Sequence, residues 1–357
     1  MRFLQDEDVS RTADDLSSLQ PAQMQTQPKA LNASNASSLG AVYAPIAAEL
    51  EQVETILQTE LRSDTPFVDQ LLEHSWLLGG KRIRPVFLLL SGAAVGKLTP
   101  AHFQLAAALE MIHTATLVHD DILDQADTRR HRPTANSIWG AKQSVLLGDY
   151  LFTHSFHVAA KGGSCEALQL LAQASNRVCE GEMRQNAWQG DFELSQQDYL
   201  RMITEKTAEL CGVGCRIGAL LSGATQEVID QFEAYGRNLG VAFQIIDDVL
   251  DIVGQDDEMG KTLGTDLLNQ KPTLPVIHCL ENLPEGQSKE LVKFLQDPAS
   301  TAEQLQTYLA ETGSLEYARL RAREHAQAAI DFANSLESNA CAQALISLAD
   351  FVQKRSF

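Results

Sequence analysis

Apolar residues recur at helical spacing along most of the chain, from Ala41 almost to Phe357. Alternating apolar and polar runs and Asn-Gly turns, which are typical of strands and hairpins, are nearly absent from the sequence. No internal linker rich in glycine, proline or serine interrupts the helical pattern. The sequence therefore predicts one all-α domain over residues 39–357.

Residues 1–38 show no sustained apolar period and are rich in Gln, Ser, Asn, Ala and Asp. This composition predicts a disordered N-terminal extension. The start of the chain lacks the basic-then-apolar order of a signal peptide, and no segment reaches the ~18–20 apolar residues of a membrane span. The six cysteines are scattered, without a CxxC pair or zinc spacing. We expect a cytoplasmic protein with reduced thiols.

Two long helices are predicted from their start signals. Thr99 and Pro100 form an N-cap followed by a proline at the first helical position, and the pattern then continues to Asp124. Thr225 starts a second helix that continues to a stop at Gly254. At about 1.5 Å per residue, each helix spans ~30 Å or more.

Each of these helices ends in an aspartate cluster of the same design within Leu, Ile and Val. The clusters are Asp120, Asp121 and Asp124, and Asp247, Asp248 and Asp251. Apolar surroundings and the negative end of the helix dipole both oppose such charges, whereas bound cations stabilise them. A solvated helix end is the alternative for one cluster, but two matching clusters favour a divalent metal site. Aspartate oxygens and water suit magnesium that is shared with phosphate.

The formal net charge of −19 argues against nucleic acid as a partner, because such binding needs a basic surface. The few cations are clustered, which indicates anionic ligands. These cations are Lys81, Arg82 and Arg84 behind a glycine pair, Arg129 and Arg130 after the first cluster, and Lys206, Lys261 and Lys271 around the second. Separate basic sets beside two acidic clusters predict two ligands that carry phosphate or diphosphate.

From about Tyr43 to the C-terminus, the chain resembles the trans-isoprenyl diphosphate (polyprenyl) synthases. The resemblance rests on eight motifs in order: GGKRIRP, EMIHTATLVHDDILD, RRHRPT, EGEMRQ, KTAEL, GVAFQIIDDVLD, GKTLGTD and KPTLP. It implies a single large helical bundle with a central cavity and a homodimer. It also implies condensation of an allylic diphosphate with successive isopentenyl diphosphates, and a possible transient contact of the product with a membrane.

The resemblance assigns roles to individual residues. The metal ligands would be Asp120, Asp124, Asp247 and Asp251 for about three magnesium ions, with Asp121 and Asp248 supporting or bridging. The allylic substrate would contact Arg129, Lys206, Thr207, Gln244, Lys261 and Lys271. Isopentenyl diphosphate would contact Lys81, Arg84, His113 and Arg130. His131 and Gln270 depart from the family pattern, which commonly has glycine at both positions.

Product length is predicted from the residues that precede Asp120 on its helix. The growing chain would pass Ala115 and Thr116, where an aromatic side chain would close the cavity early, and then Met111 and Ile112. These residues predict a long all-trans product of about thirty to fifty carbons, suited to a quinone side chain. The alternatives are a geranylgeranyl diphosphate synthase, a class I terpene cyclase and a regulatory subunit of a synthase.

Overall fold

Helices account for nearly all of the chain that the computed structural model describes, which comprises residues 40–78, 80–253, 264–297 and 300–354. The first half contains α1 (Ala47–Glu60), α2 (Pro66–Leu77), α3 (Ile83–Val95), α4 (Pro100–Leu123), α5 (Ala135–Trp139), α6 (Ala141–Lys161) and α7 (Cys165–Ala187). The second half contains α8 (Gln196–Ile203), α9 (Glu209–Leu221), α10 (Gln226–Val253), α11 (Thr265–Leu268), α12 (Leu274–Asn282), α13 (Glu285–Leu295), α14 (Ala302–Glu311), α15 (Ser314–Ser335) and α16 (Ala340–Lys354). The predicted all-α class is confirmed.

Three short departures from α-helix occur among the described residues. A π turn at Thr204–Ala208 separates α8 from α9. The strands β1 (Thr128–Arg129) and β2 (Arg132–Pro133) form a small antiparallel hairpin. A 3-10 turn at Ala44–Ile46 leads into α1. The predicted N-terminal extension and Lys261 lie outside the described residues.

The core surrounds α3 and α4, which are buried on nearly all sides over their central turns. Val86–Leu90 and Leu105–Ile112 are each at most 3% exposed. A helix that is apolar all round belongs in the interior of a protein. Helix α4 packs most extensively on α6, and α9 packs on α3 and α10. A Cβ at Gly218 would lie 2.1 Å from the Leu88 carbonyl oxygen, so α9 and α3 meet along their backbones.

Both long helices begin where the sequence predicts. Thr99 caps α4 in a capping box with His102, and Pro100 occupies the first turn. Helix α10 begins at Gln226, directly after Thr225, while its predicted stop lies outside the described residues. A smaller apolar cluster packs α12, α13 and α14 near the end of α10. No described helix has the length and apolar character needed to cross a bilayer.

Candidate active site

Helix α4 ends at its aspartate cluster through a Schellman motif. The Ala126 amide donates to the Asp121 carbonyl (2.9 Å), and the Gln125 amide donates to the carbonyl three residues before it (3.2 Å). Gln125 has a φ of 51°, the left-handed conformation that this motif requires. The helix therefore stops at Asp124, and Asp120 lies one turn earlier at the end of a rigid element.

Two lysines from distant parts of the chain contact this first cluster. Lys206 Nζ lies 3.8 Å from Asp120 Oδ2 and 2.5 Å from a Glu182 carboxylate oxygen. Lys271 Nζ donates to Asp124 Oδ1 at 2.8 Å. In sequence both lysines flank the second cluster, whereas the fold brings them to the first. Both lysines therefore pair with carboxylates of the first cluster.

A second Schellman motif places Lys271. At the end of α11, the Lys271 amide donates to the Asp266 carbonyl (2.8 Å), and Gln270 takes the left-handed position with a φ of 49°. Glycine is the usual residue there because it has no Cβ to clash. The glutamine keeps the backbone conformation of glycine, so Lys271 still reaches Asp124. Asn269 Nδ2 also approaches Asp124 Oδ1, at 3.4 Å.

The β1–β2 hairpin links the first cluster to the basic loop, which is the segment 80–84 with Lys81, Arg82 and Arg84. Its two loop residues, Arg130 and His131, have φ values of 54° and 61°, as a type I′ turn requires. Arg129 Nε donates to Asp121 Oδ1 at 2.7 Å. Arg130 donates to the Leu78 carbonyl at 2.5 Å. The substitution of His131 for glycine leaves the turn intact.

A hydrogen-bond chain organises the second cluster. Tyr199 donates its hydroxyl to Asp248 Oδ2 at 2.6 Å, and Gln244 Nε2 donates to Asp248 Oδ1 at 2.8 Å. The Thr207 hydroxyl donates to Gln244 Oε1 at 2.8 Å. Burial and the nearby Asp266 raise the pKa of Asp248 to about 8. This chain fixes which way the Gln244 amide points.

The other two aspartates of α10 differ from each other in burial. Asp251 is fully buried, and its Oδ2 accepts from the Asp266 amide at 3.0 Å. Its carbonyl accepts from the Gly264 amide at 2.9 Å. Asp247 is only partly buried. Asp251 therefore also anchors the segment that returns to Lys271.

The carboxylates of the first cluster are held where their charge is disfavoured. Burial raises the pKa of Asp120 to about 6, against the lowering effect of Lys206. Burial also raises the pKa of Asp121, although Arg129 opposes the rise. Asp121 Oδ2 is buried and has no hydrogen-bond partner among the described residues. A bound cation would relieve this electrostatic cost.

The donor set fits one kind of metal site. No group of three or more His, Cys, Asp or Glu side chains within the described ranges is placed to hold a metal ion. Magnesium usually takes one or two protein carboxylates and completes its shell with water and phosphate oxygens. The two acidic clusters fit a magnesium ion shared with a phosphorylated ligand, rather than a closed cage of protein ligands.

Several arginines lie around His113. Burial lowers the pKa of His113 well below its usual value, and Arg84, Arg130 and two further arginines lower it further, so the ring is neutral. Arg84 Nε is buried without a hydrogen-bond partner among the described residues. Lys81 Nζ lies 5.4 Å from the centre of the Phe351 ring of α16. This arrangement gives a concentration of positive charge close to the first acidic cluster.

The residues predicted to govern product length lie inside the bundle. Met111, Ile112 and Ala115 are at most 1% exposed. The partly buried Thr116 donates its hydroxyl to the His113 carbonyl at 2.8 Å. Ala115 is buried and lies five residues, or more than one helical turn, before Asp120. Its methyl group occupies little space at this position. The central cavity stays a prediction.

Several contacts of the site could not be predicted from the sequence. Tyr199 carries no signal beyond the rule that a buried tyrosine hydroxyl finds a partner. Glu182 lies within EGEMRQ, but the motif does not reveal that it pairs with Lys206. Glu54 and Glu110, which bind Arg82, lie outside the basic motif itself.

A helical bundle whose two long helices each carry an aspartate cluster near the end, the first cluster paired with Lys206 and Lys271, defines the class of isoprenyl diphosphate synthases, which are prenyltransferases. The family model described as polyprenyl synthetase matches residues 65–312, and the chain belongs to that family.

Relatives and solved structures agree with this assignment. The octaprenyl diphosphate synthase of Haemophilus influenzae is 37% identical over 312 residues, which cover 87% of this chain and 94% of that protein. A polyprenyl synthase from Caulobacter crescentus, crystallised with calcium and isoprenyl diphosphate, has a TM-score of 0.85 and 33% identity, with 89% of this chain and 98% of that chain covered. A decaprenyl diphosphate synthase from Rhodobacter capsulatus has a TM-score of 0.84 and 34% identity, with coverages of 89% and 99%.

Proposed function

We propose that the protein is a magnesium-dependent, long-chain trans-polyprenyl diphosphate synthase. It condenses an allylic diphosphate with successive isopentenyl diphosphates, head to tail. The observation that carries the proposal is that Lys206 and Lys271 form ion pairs with the first aspartate cluster. Two lysines that pair with partly buried carboxylates are placed to transfer to a diphosphate when cations bind the carboxylates.

The metal and the two substrates would each be bound by their own set of residues. The metal would be held by Asp120, Asp124, Asp247 and Asp251, with Asp121 and Asp248 supporting. The allylic diphosphate would contact Arg129, Lys206, Thr207, Gln244, Lys261 and Lys271. Isopentenyl diphosphate would contact Lys81, Arg84, His113 and Arg130. A neutral His113 can donate one hydrogen bond to a phosphate oxygen without adding charge.

The first chemical step is departure of pyrophosphate from the allylic carbon. Bound magnesium supplies positive charge that stabilises the leaving oxygen atoms. The C–O bond breaks and its electron pair leaves with pyrophosphate, while Lys206 and Lys271 bind the departing group. The oxygen atoms of Thr207 and Gln244 stabilise the allylic cation, because Tyr199 and Asp248 hold the Gln244 amide in one orientation.

The second step joins the two substrates. The alkene electron pair of isopentenyl diphosphate forms the new C–C bond, and a proton leaves the adjacent carbon for the released pyrophosphate. No nucleophilic side chain is required. The apolar interior around α4 excludes water, which would otherwise capture the cation.

The long product follows from small side chains along α4. The buried Ala115 leaves space where an aromatic ring would end the cavity, and the flexible Met111 lies one turn deeper. The names of the octaprenyl and decaprenyl relatives support the same product class. We therefore place the product at about thirty to fifty carbons.

Assembly and location form a further part of the proposal. Ile138, Val145 and Leu146 are 42–54% exposed along α5 and α6. Apolar side chains gathered on neighbouring helices support a homodimer packed through this region. Family membership and the scattered cysteines support a cytoplasmic enzyme.

The test is elongation by the purified full-length chain. The protein is incubated with farnesyl diphosphate, labelled isopentenyl diphosphate and magnesium, and the dephosphorylated products are sized. A ladder that ends at one long polyprenol is expected. A ladder that stops at twenty carbons would retain the chemistry but overturn the length argument.

A pair of matched variants links elongation to the acidic site. Asp120→Asn is expected to abolish elongation, whereas Asp331→Asn, an exposed aspartate on α15, is expected to leave it unchanged. Absence of elongation from every allylic primer, with magnesium shown to bind, would overturn the proposed activity and favour a regulatory subunit.

A further inference from the structure

Arg82 is the middle cation of the basic loop and has an unusual backbone conformation. It precedes α3 with a φ of 51°, in the left-handed region. For a residue with a Cβ this conformation costs roughly 1–2 kcal/mol, so contacts elsewhere must hold it. The neighbouring cations Lys81 and Arg84 depend on this turn for their direction.

The Arg82 side chain is held by two glutamates from other helices. Its Nε donates to Glu54 Oε1 at 2.6 Å, and a terminal nitrogen donates to Glu54 Oε2 at 3.3 Å. Its other terminal nitrogen donates to Glu110 Oε1 at 3.1 Å. The side chain of Arg82 is only 11% exposed, and that of Glu110 is 4% exposed. Trp76 Nε1 also donates to Glu54 Oε2, at 3.3 Å.

This cluster, the Glu54–Arg82–Glu110 clamp, fixes the loop to α1 and α4. Glu110 lies three residues before His113 on α4, and therefore on the same side of the helix. The guanidinium of Arg130 lies against Gly80, where a Cβ would come within 2.4–2.5 Å of it. The clamp thus fixes the loop beside His113 and Arg130, which are both predicted to contact isopentenyl diphosphate. Each of the three nitrogens of the Arg82 guanidinium donates one hydrogen bond to a carboxylate, and the side chain is only 11% exposed, so the group binds within the protein rather than to a phosphate.

We propose that the Glu54–Arg82–Glu110 clamp is a positioning device that sets the spacing of Lys81, Arg84 and Arg130 for the second diphosphate. Arg82 itself does not touch substrate. The inference rests on the proposed function, because it assigns this region to isopentenyl diphosphate. Breaking one side of a buried ion pair leaves a charge uncompensated, so the loop would move rather than keep its geometry.

Two variants separate the clamp from the backbone strain. Arg82→Gly keeps the left-handed conformation accessible and removes only the side chain. Glu110→Gln keeps the shape of the side chain and removes its charge. Both are expected to raise the KM for isopentenyl diphosphate about tenfold or more, with kcat and the KM for farnesyl diphosphate within about twofold.

A matched control uses another arginine held by two carboxylates. Arg216 on α9 pairs with Asp230 and Glu233 of α10. Arg216→Ala is expected to lower thermal stability without changing either KM. If Arg82→Gly does not fold, as judged by circular dichroism, Glu54→Gln makes the same test.

Direct binding separates this inference from the proposed function. Calorimetric titration measures the affinity of each variant for isopentenyl diphosphate without requiring elongation. Weaker binding by a folded Arg82→Gly variant supports the clamp even if the parent does not elongate. An unchanged affinity, or an equal rise in both KM values, overturns it. A parent that neither binds isopentenyl diphosphate nor elongates overturns both proposals.

Discussion

Replacement of Asp120 by asparagine should stabilise the metal-free protein at alkaline pH. Burial raises the pKa of Asp120 from 3.8 to about 6, and a rise of roughly two pH units corresponds to ~3 kcal/mol. The side chain retains 19% exposure, so solvent screening reduces the expected effect to ~1–3 kcal/mol.

The sign of the effect follows from proton binding. Below about pH 4 the carboxyl is protonated in both states and carries no penalty. Between about pH 4 and 6 the unfolded chain releases a proton that the folded chain retains, so the stability of the parent falls as pH rises. The free-energy difference between Asp120→Asn and the parent should therefore grow across this range and be complete at pH 8.

Urea unfolding followed by circular dichroism, in buffer with EDTA at pH 4 and pH 8, measures this difference. Asp331→Asn serves as the control and should match the parent at both pH values. The reasoning is refuted if Asp120→Asn is no more stable than the parent at pH 8, or if its gain is the same at pH 4.

Three further predictions concern product length, catalysis and backbone strain. Ala115→Phe should shorten the product ladder because the ring fills the space beside α4, and an unchanged ladder would contradict the cavity argument. Tyr199→Phe removes a hydrogen bond to Asp248, so kcat should fall ~10–100-fold from a loss of ~1.5–3 kcal/mol, as steady-state kinetics would show. A kcat within twofold of the parent would exclude the orienting role. His131→Gly should raise the free energy of unfolding by ~0.5–1 kcal/mol because glycine tolerates the left-handed conformation, and denaturant unfolding would reveal a loss instead if the turn is unstrained.

Local signals carried most of the fold prediction. The capping residues Thr99 and Pro100 mark the start of α4, and the continuous apolar period marks its length. The aspartates at its end were recognisable because charges within an apolar helix need a partner. Such features depend on residues within a few positions of one another, which is why the sequence alone reveals them.

Contacts between residues far apart in the chain, and non-glycine residues in the left-handed conformation, could not be predicted from the sequence. Tyr199 and Asp248 lie 49 residues apart, and no periodicity connects them. Gln125 and Gln270 end two helices in a conformation for which glycine is the usual marker, so neither helix end carries its ordinary signal. The Tyr199–Asp248 hydrogen bond and the left-handed glutamines both depend on tertiary contacts. These contacts outweigh the conformational preference of the individual residue.

Under the proposed function, the lysines on the first aspartate cluster would make cation binding and diphosphate binding mutually dependent. Lys206 and Lys271 pair with Asp120 and Asp124 and would compete with a cation for these carboxylates. A diphosphate that attracts the lysines releases the carboxylates, and a cation that takes the carboxylates releases the lysines. By linkage, each ligand must then raise the affinity of the other by the same factor. The enzyme would therefore bind either ligand alone weakly and the two together tightly. The positive charge that promotes departure of pyrophosphate would then be in place only when a substrate is bound.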